Sequence, residues 1–265
     1  PLVNSSTRAL LFTTSMLDAK STTEVPWLAQ LIERIGEPAI RIALDIGTNL
    51  FSQHFVLGED LQQAGRRAEK EKHNYSYSYD MLGEAALTMD DADRFHQAYQ
   101  EAIRHVGQAD KGAISIKLSA LHPRFDVLQR DRVMNELLPR LCELLAMARQ
   151  NDVSVTIDAE EIDRLEISLI VIEQLIKDGV CSGWHDFGIA VQSYSCRAMP
   201  VLQYLKTLAE FHGERLGIRL VKGAYWDAEI KHAQNLGLPA YPVYTRKPYT
   251  DIAFLACARF LLDSQ

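Results

Sequence analysis

The chain has 265 residues, 47% of them hydrophobic and 24% charged, an ordinary globular composition. A chain this long can bury roughly 70–75% of its unfolded surface without staples, and its high apolar content, with only 14 Gly and 9 Pro, excludes disorder as its main state. No apolar run approaches the ~20 residues of a membrane span, and a net charge of −7 gives no push toward nucleic acid.

Both ends, Pro1 and Gln265, read as cut from a longer protein, and no signal-peptide pattern is present. The first 72 residues read as a helical arm. Trp27, Leu28, Leu31, Ile32 and Ile35 repeat at helical spacing before Gly36, and Ile40, Ala43, Leu44 and Ile46 begin another apolar face. Leu61 to Lys72 is polar and predicts a solvated helix or connector. Its mixed-sign run Arg66 to Lys72 reads as a solvated face rather than a binding patch.

From residue 73 onward short apolar runs alternate with helical stretches. The runs are Tyr75–Tyr79, Ile114–Leu118, Val153–Ile157, Phe187–Val191, Ile218–Val221 and Tyr241–Tyr244. The helical stretches include Ala92–Val106, Val133–Ala148, Ile162–Lys177 and Ala198–Phe211. Thr88 followed by Asp91 predicts a helix start, and Gly179 a helix stop. This alternation predicts parallel strands joined by helical crossovers, an α/β fold.

The polar residues fall at the strand ends: Lys117, Asp158, Gln192, and Arg219 with Lys222. Polar tips on several consecutive strands favour a β/α barrel over an open doubly wound sheet, where they would cluster at one switch point. Six strands are two short of a closed eight-stranded barrel, so the last strands are expected beyond Gln265.

Each tip has a plain structural reading beside the functional one. Lys117 reads as a snorkelling lysine or as half of an ion pair, and Asp158 as a helix N-cap. A carboxylate facing Lys117 across a barrel mouth would keep both groups charged. Arg219-Leu220-Val221-Lys222-Gly223-Ala224-Tyr225-Trp226 is the densest stretch. Gly223 and Ala224 would admit a flat ligand close to the backbone, and Arg219 could donate through its planar fork to an electron-rich ring or a phosphate. Read structurally, the same stretch is a strand exit with a surface ion pair and core aromatics. Glu84, alone, reads as a first-turn helix acid.

Other chemistries lack their patterns. Cys142, Cys181, Cys196 and Cys257 are widely spaced and read as buried reduced thiols of a cytoplasmic protein. The histidines show no metal spacing, and His122 before Pro123 reads as structural. No Gly-rich dinucleotide or phosphate loop and no serine elbow is present.

Tyr77 to Ala86, Ile116 to Pro123, Ile157 to Glu161, Arg219 to Asp227 and Tyr241 to Lys247 closely resemble the proline dehydrogenase domain of the bifunctional proline utilisation proteins. The resemblance runs from about Leu31 to the C-terminus. It implies a distorted (β/α)8 barrel over residues 73–265, holding FAD non-covalently at its carboxyl face. The implied reaction is oxidation of L-proline to Δ1-pyrroline-5-carboxylate by hydride transfer to flavin N5, with electrons passed to a membrane quinone. By resemblance, Lys117 and Asp158 line the proline site and Arg219 lies beside the flavin. Ala159, Gln192, Val221, Lys222, Gly223, Ala224 and Trp226 are implied flavin contacts. The resemblance likewise implies that Tyr225 packs against the proline ring and that Glu84 helps shut the site. Asp158 is expected to support Lys117 rather than serve as an obligatory base.

The chain departs from the family in two respects. The Gly107–Gly112 loop is short, and the chain stops before the helix whose arginine pair clamps the proline carboxylate. The parent protein is expected to carry a fused aldehyde dehydrogenase domain and to associate peripherally with the inner membrane. Two other readings stand beside this one: a barrel lyase using Lys117 or Lys222 as a Schiff-base nucleophile, and a non-catalytic scaffold fragment.

Overall fold

The computed structural model describes residues 56–71, 75–81, 85–108 and 112–264. The apolar repeats at residues 27–46, together with Glu84, lie outside them. The chain divides into two compact units, Pro1–Tyr75 and Ser76–Gln265. In the first, α1 (Leu61–Glu71) is helical as its pattern predicts, with Arg66, Glu69 and Lys70 exposed. Ala64 and Ala68, one turn apart, are buried, so α1 carries an apolar stripe as well as a solvated face.

The second unit alternates strand and helix. In chain order it runs β1 (Ser78–Asp80), α2 (Met89–Gly107), β2 (Ala113–Ile116), α3 (Leu138–Gln150), β3 (Ser154–Ile157), α4 (Leu165–Lys177), β4 (Phe187–Gln192), α5 (Ala198–His212), β5 (Gly217–Val221), α6 (Trp226–Asn235) and α7 (Lys247–Leu262). The five strands form one sheet in the order β1-β2-β3-β4-β5, every neighbouring pair parallel. Parallel neighbours need long crossovers, and the helices supply them. All six residues of β4 are buried, as in a sheet covered on both faces.

Local chemistry sets the boundaries. Thr88 and Asp91 form a full capping box at the start of α2, each side chain taking the other's backbone N–H. The stop after α4 uses Gly179 at φ +67°, with the Val180 N–H returning to the Leu175 carbonyl at 3.0 Å. The stretch predicted as one helix from Val133 begins earlier, at Arg130–Arg132, and passes through a π turn over Val133–Leu137 before α3. The predicted helix from Ile162 opens with a 3₁₀ turn, Ile162–Arg164.

The sixth predicted strand, Tyr241–Tyr244, is not one. It forms a single antiparallel bridge between Val243 and Ser195, because its backbone is spent on the loop after β4. The Cys196 N–H donates to the Pro242 carbonyl at 3.0 Å and the Tyr244 N–H to the Tyr194 carbonyl at 2.9 Å. Pro242 has no N–H to extend a ladder. The thiols also depart in part from expectation: Cys181 and Cys257 are buried and Cys142 is half-buried, but Cys196, on that loop, is exposed. No helix among the described residues is long and apolar enough to cross a membrane.

Candidate active site

The strand register decides which side chains meet. Asp80, Ser115, Thr156, Gly188 and Gly217 stand opposite one another across the five strands, and Ala190 and Arg219 form a pair one row further along. Side chains two residues apart on a strand share a face, so Lys117, Asp158 and Arg219 lie on the face that carries Asp80 and Ser115. Lys117 and Asp158 stand just beyond the last residues of β2 and β3, and Arg219 lies within β5.

These groups touch. Lys117 Nζ donates to Asp158 Oδ2 at 2.8 Å and to Asp80 Oδ1 at 2.6 Å. The Arg219 guanidinium donates through Nη2 to Asp158 Oδ1 and through Nη1 to Ser115 Oγ at 2.9 Å. In a flat sheet β2 and β5 would be about 14 Å apart, further than an arginine side chain reaches. The sheet is therefore strongly curved, with this face concave and the guanidinium spanning the hollow from β5 to β2 and β3. Glycine at 188 and alanine at 190 keep the inner face of β4 low beneath that span.

The electrostatics follow from the contacts. Burial opposes the charge on Lys117, but hydrogen bonds and attraction from Asp158 and Asp80 outweigh it and hold the ammonium pKa above the usual lysine range. Beneath Lys117, the buried Tyr99 hydroxyl of α2 accepts the Lys117 backbone N–H at 3.0 Å, and burial pushes this phenol up to about 12. Both oxygens of Asp158, whose side chain is only 11% exposed, are occupied by cations.

A second layer ties the strand ends together through Glu160. Its carboxylate, 3% exposed, accepts the Ser119 N–H at 3.0 Å and pairs with Arg164 at 2.6 Å. Its carbonyl accepts Gln192 Nε2 at 2.8 Å, and Gln192 Oε1 accepts the Ala224 N–H at 3.2 Å. Gln192 thus joins the turn after β3 to the turn after β5. Ala159 lies half-buried between Asp158 and Glu160, and Val221 pairs with Gln192 in register. Tyr225 is half-buried, its phenol raised first by burial and then by the nearby Glu161 and Glu160 carboxylates.

Lys222 points elsewhere: it binds Asp251 of α7 at 2.5 Å, as does Lys247 at 2.7 Å. Trp226 is 40% exposed, so it is no core aromatic, and its indole N–H donates to the Tyr244 carbonyl at 2.9 Å. Tyr194, Lys222, Gly223, Trp226, Tyr244, Thr245, Lys247 and Thr250 line an open cleft of about 390 Å³. Gly223 has φ +128°, and a Cβ there would sit 2.5 Å from the Tyr194 ring, so only glycine carries the chain past that ring. Cations, hydroxyls and flat rings in one open cleft suit a large anionic nucleotide, and the Arg219 fork, on the strand that leads into Lys222, suits an electron-rich ring. The residues present fit a flavin dinucleotide.

Reasoning from sequence missed Asp80, Tyr99, Ser115 and Glu160. A serine between Ile114 and Ile116 was the one available signal for Ser115.

The proline dehydrogenase family pattern matches residues 64–265. The chain belongs to the proline dehydrogenase family. It is 49% identical to the bifunctional protein PutA of Klebsiella aerogenes over 98% of this chain and 20% of that protein. Proline dehydrogenase 1 of Bacillus subtilis (strain 168) is 26% identical over 70% of this chain and 56% of its own length. Among solved structures, a Bradyrhizobium japonicum proline utilization A mutant matches with a TM-score of 0.77 at 47% identity, covering 89% of this chain and 25% of that one. Proline utilization A from Bdellovibrio bacteriovorus, inactivated by N-propargylglycine, matches with a TM-score of 0.77 at 26% identity, over 84% of this chain and 25% of that one. This member of the proline dehydrogenase family thus spans about a fifth of the length of its PutA relative.

Proposed function

We propose that this chain is the proline-oxidising part of an FAD-dependent enzyme, carrying out the first step of proline catabolism. The observation that supports it most is the concave-face cluster of Lys117, Asp158 and Arg219. A bound flavin would supply the oxidant, accepting the hydride that proline loses from the ring carbon beside its nitrogen; with loss of the nitrogen's proton the product would be Δ1-pyrroline-5-carboxylate.

The chain's own residues set the stage for that step. Arg219, anchored by Asp158 and Ser115, would be the donor offered to a bound flavin, and a preorganised cation there would stabilise negative charge on a reduced ring. Asp158 holds both Arg219 and Lys117 through its two oxygens. With both oxygens engaged, it serves to orient the cations rather than to remove a proton. Lys117 and Tyr225 form the proline side of the hollow. Ala159, Gln192, Val221 and the Lys222–Ala224 turn with Trp226 would hold the flavin, with Lys222 a cation available to its phosphates. Glu84 is assigned to shutting the site by its place in the sequence pattern alone. Electrons then pass to a membrane quinone, which places a cytoplasmic parent protein at the inner membrane. The parent carries a fused aldehyde dehydrogenase domain.

The Schiff-base reading is disfavoured for Lys117 by the same geometry. A nucleophilic lysine must shed its proton, whereas Lys117 is held protonated by two carboxylates.

The test is spectroscopic. Chain purified with added FAD should be yellow, bleach anaerobically on addition of L-proline, and lose that response after treatment with N-propargylglycine. Replacing Arg219 by methionine should slow flavin reduction by more than about tenfold, the equivalent of roughly 1.4 kcal/mol in the barrier. A colourless protein that takes up no FAD, or reduction untouched by Arg219→Met, would overturn the assignment.

A further inference from the structure

We propose that Ser115 is a positioning residue that fixes the plane of the Arg219 guanidinium; the proposal rests on the flavin reading above. Ser115 lies mid-strand in β2, 1% exposed, between the fully buried Ile114 and Ile116. A hydroxyl buried in such a place is costly unless it is paired, and a β-branched apolar residue would suit the strand better. Its Oγ accepts from Arg219 Nη1 at 2.9 Å, across 104 residues of sequence.

Geometry gives this bond a role beyond satisfying a hydroxyl. Asp158 binds Arg219 through Nη2 alone, and a single contact leaves the planar group free to pivot about it. Ser115 binds the other terminal nitrogen and supplies the second point, which removes the pivot. Gly188 and Ala190 leave the path over β4 clear, so the arm is seated at its tip and not along its length. Two anchored nitrogens leave Nε and the outer edge of a side chain 36% exposed to face a ligand. An oxyanion-type donor works in proportion to how well it is aimed before the reaction, and Ser115 does the aiming.

Three variants of the whole chain test this. Ser115→Ala removes the acceptor, Ser115→Thr keeps it, and Ser115→Cys keeps the volume with a poor acceptor. The first readout needs no flavin: the rate at which phenylglyoxal modifies Arg219, followed by mass spectrometry of its peptide, in protein shown folded by thermal melting. Ser115→Ala should raise that rate several-fold, and Ser115→Thr should return it toward the parent value. Should Ser115→Ala fail to fold, Ser115→Cys takes its place. In the FAD-loaded chain, proline-driven flavin reduction should slow roughly 10- to 100-fold, the scale of one lost hydrogen bond to a charged group, with little change in the proline KM. Threonine should rescue that rate too. An Arg219 modification rate unchanged by alanine and by cysteine, or a threonine variant no better than alanine, overturns the proposal. If the parent chain takes up no flavin, the functional assignment fails, while the modification rates still decide whether Ser115 seats Arg219.

Discussion

Glu160 is the side chain on which the strand ends lean, and replacing it with alanine tests how strongly. The change removes the acceptor for the Ser119 N–H, a bond of 3.0 Å in a buried setting, and leaves that donor without a partner. An orphaned buried donor costs about 1–3 kcal/mol. The change also removes the 2.6 Å partner of Arg164, whose side chain is 27% exposed and keeps Glu161 at 3.3 Å. That leftover contact and partial hydration put the total near 3 kcal/mol, the low end for breaking a buried pair. For a unit the size of Ser76–Gln265 each kcal/mol is worth about 2–4 °C, so Glu160→Ala should lower the melting temperature by roughly 6–12 °C. Glu160→Gln keeps an acceptor for Ser119 and a neutral bond to Arg164, and should lose only about 1 kcal/mol. Thermal unfolding followed by far-UV circular dichroism at neutral pH measures both. If alanine costs less than about 1 kcal/mol, or glutamine costs as much as alanine, Glu160 is not the tie between β2 and β3 that its contacts describe.

Two further predictions follow from single positions. Gly223→Ala places a Cβ 2.5 Å from the Tyr194 ring at a φ of +128°, so it should cost about 2 kcal/mol or more and weaken FAD binding by at least tenfold; a titration of flavin absorbance that shows parent-like affinity would contradict this. Glu136 is held down to about 2 from an ordinary 4.5 by its hydrogen bonds to Arg132 and then His122. A depressed carboxylate contributes stability that is present above its unfolded value and lost as pH falls through its folded one. Between pH 4.5 and about 2 the melting temperature of the parent should therefore fall more steeply than that of Glu136→Gln, and parallel curves would refute the pairing.

The alternation of strand and helix was legible because each crossover must bury an apolar stripe on a sheet whose strands are themselves apolar. The start at Thr88 and the stop at Gly179 were legible because capping is local chemistry. Tyr241–Tyr244 misled because its residues have strand propensity, while its partners, Tyr194 and Cys196, are set by a loop distant in sequence. Lys117, Asp158 and Arg219 could be picked out as polar tips on apolar strands. Their arrangement could not, since it depends on register and curvature. Lys222 illustrates the limit: two cations three residues apart read as one site, yet Arg219 turns to Asp158 and Lys222 to Asp251.

Curvature is what joins fold and site here. The bond from Arg219 to Ser115 exists only because three strand spacings fold back into less than an arginine's reach. It is open only because β4 presents glycine and alanine on its inner face. A larger residue at 190 would fill the hollow as a packed barrel core does, and the guanidinium would have to leave Asp158. Lys117 would keep Asp80 and Asp158, but Asp158 would turn an unoccupied oxygen toward the hollow. The small inner row of β4 is therefore as much a part of the site as the charged groups that meet above it, although it holds no reactive atom.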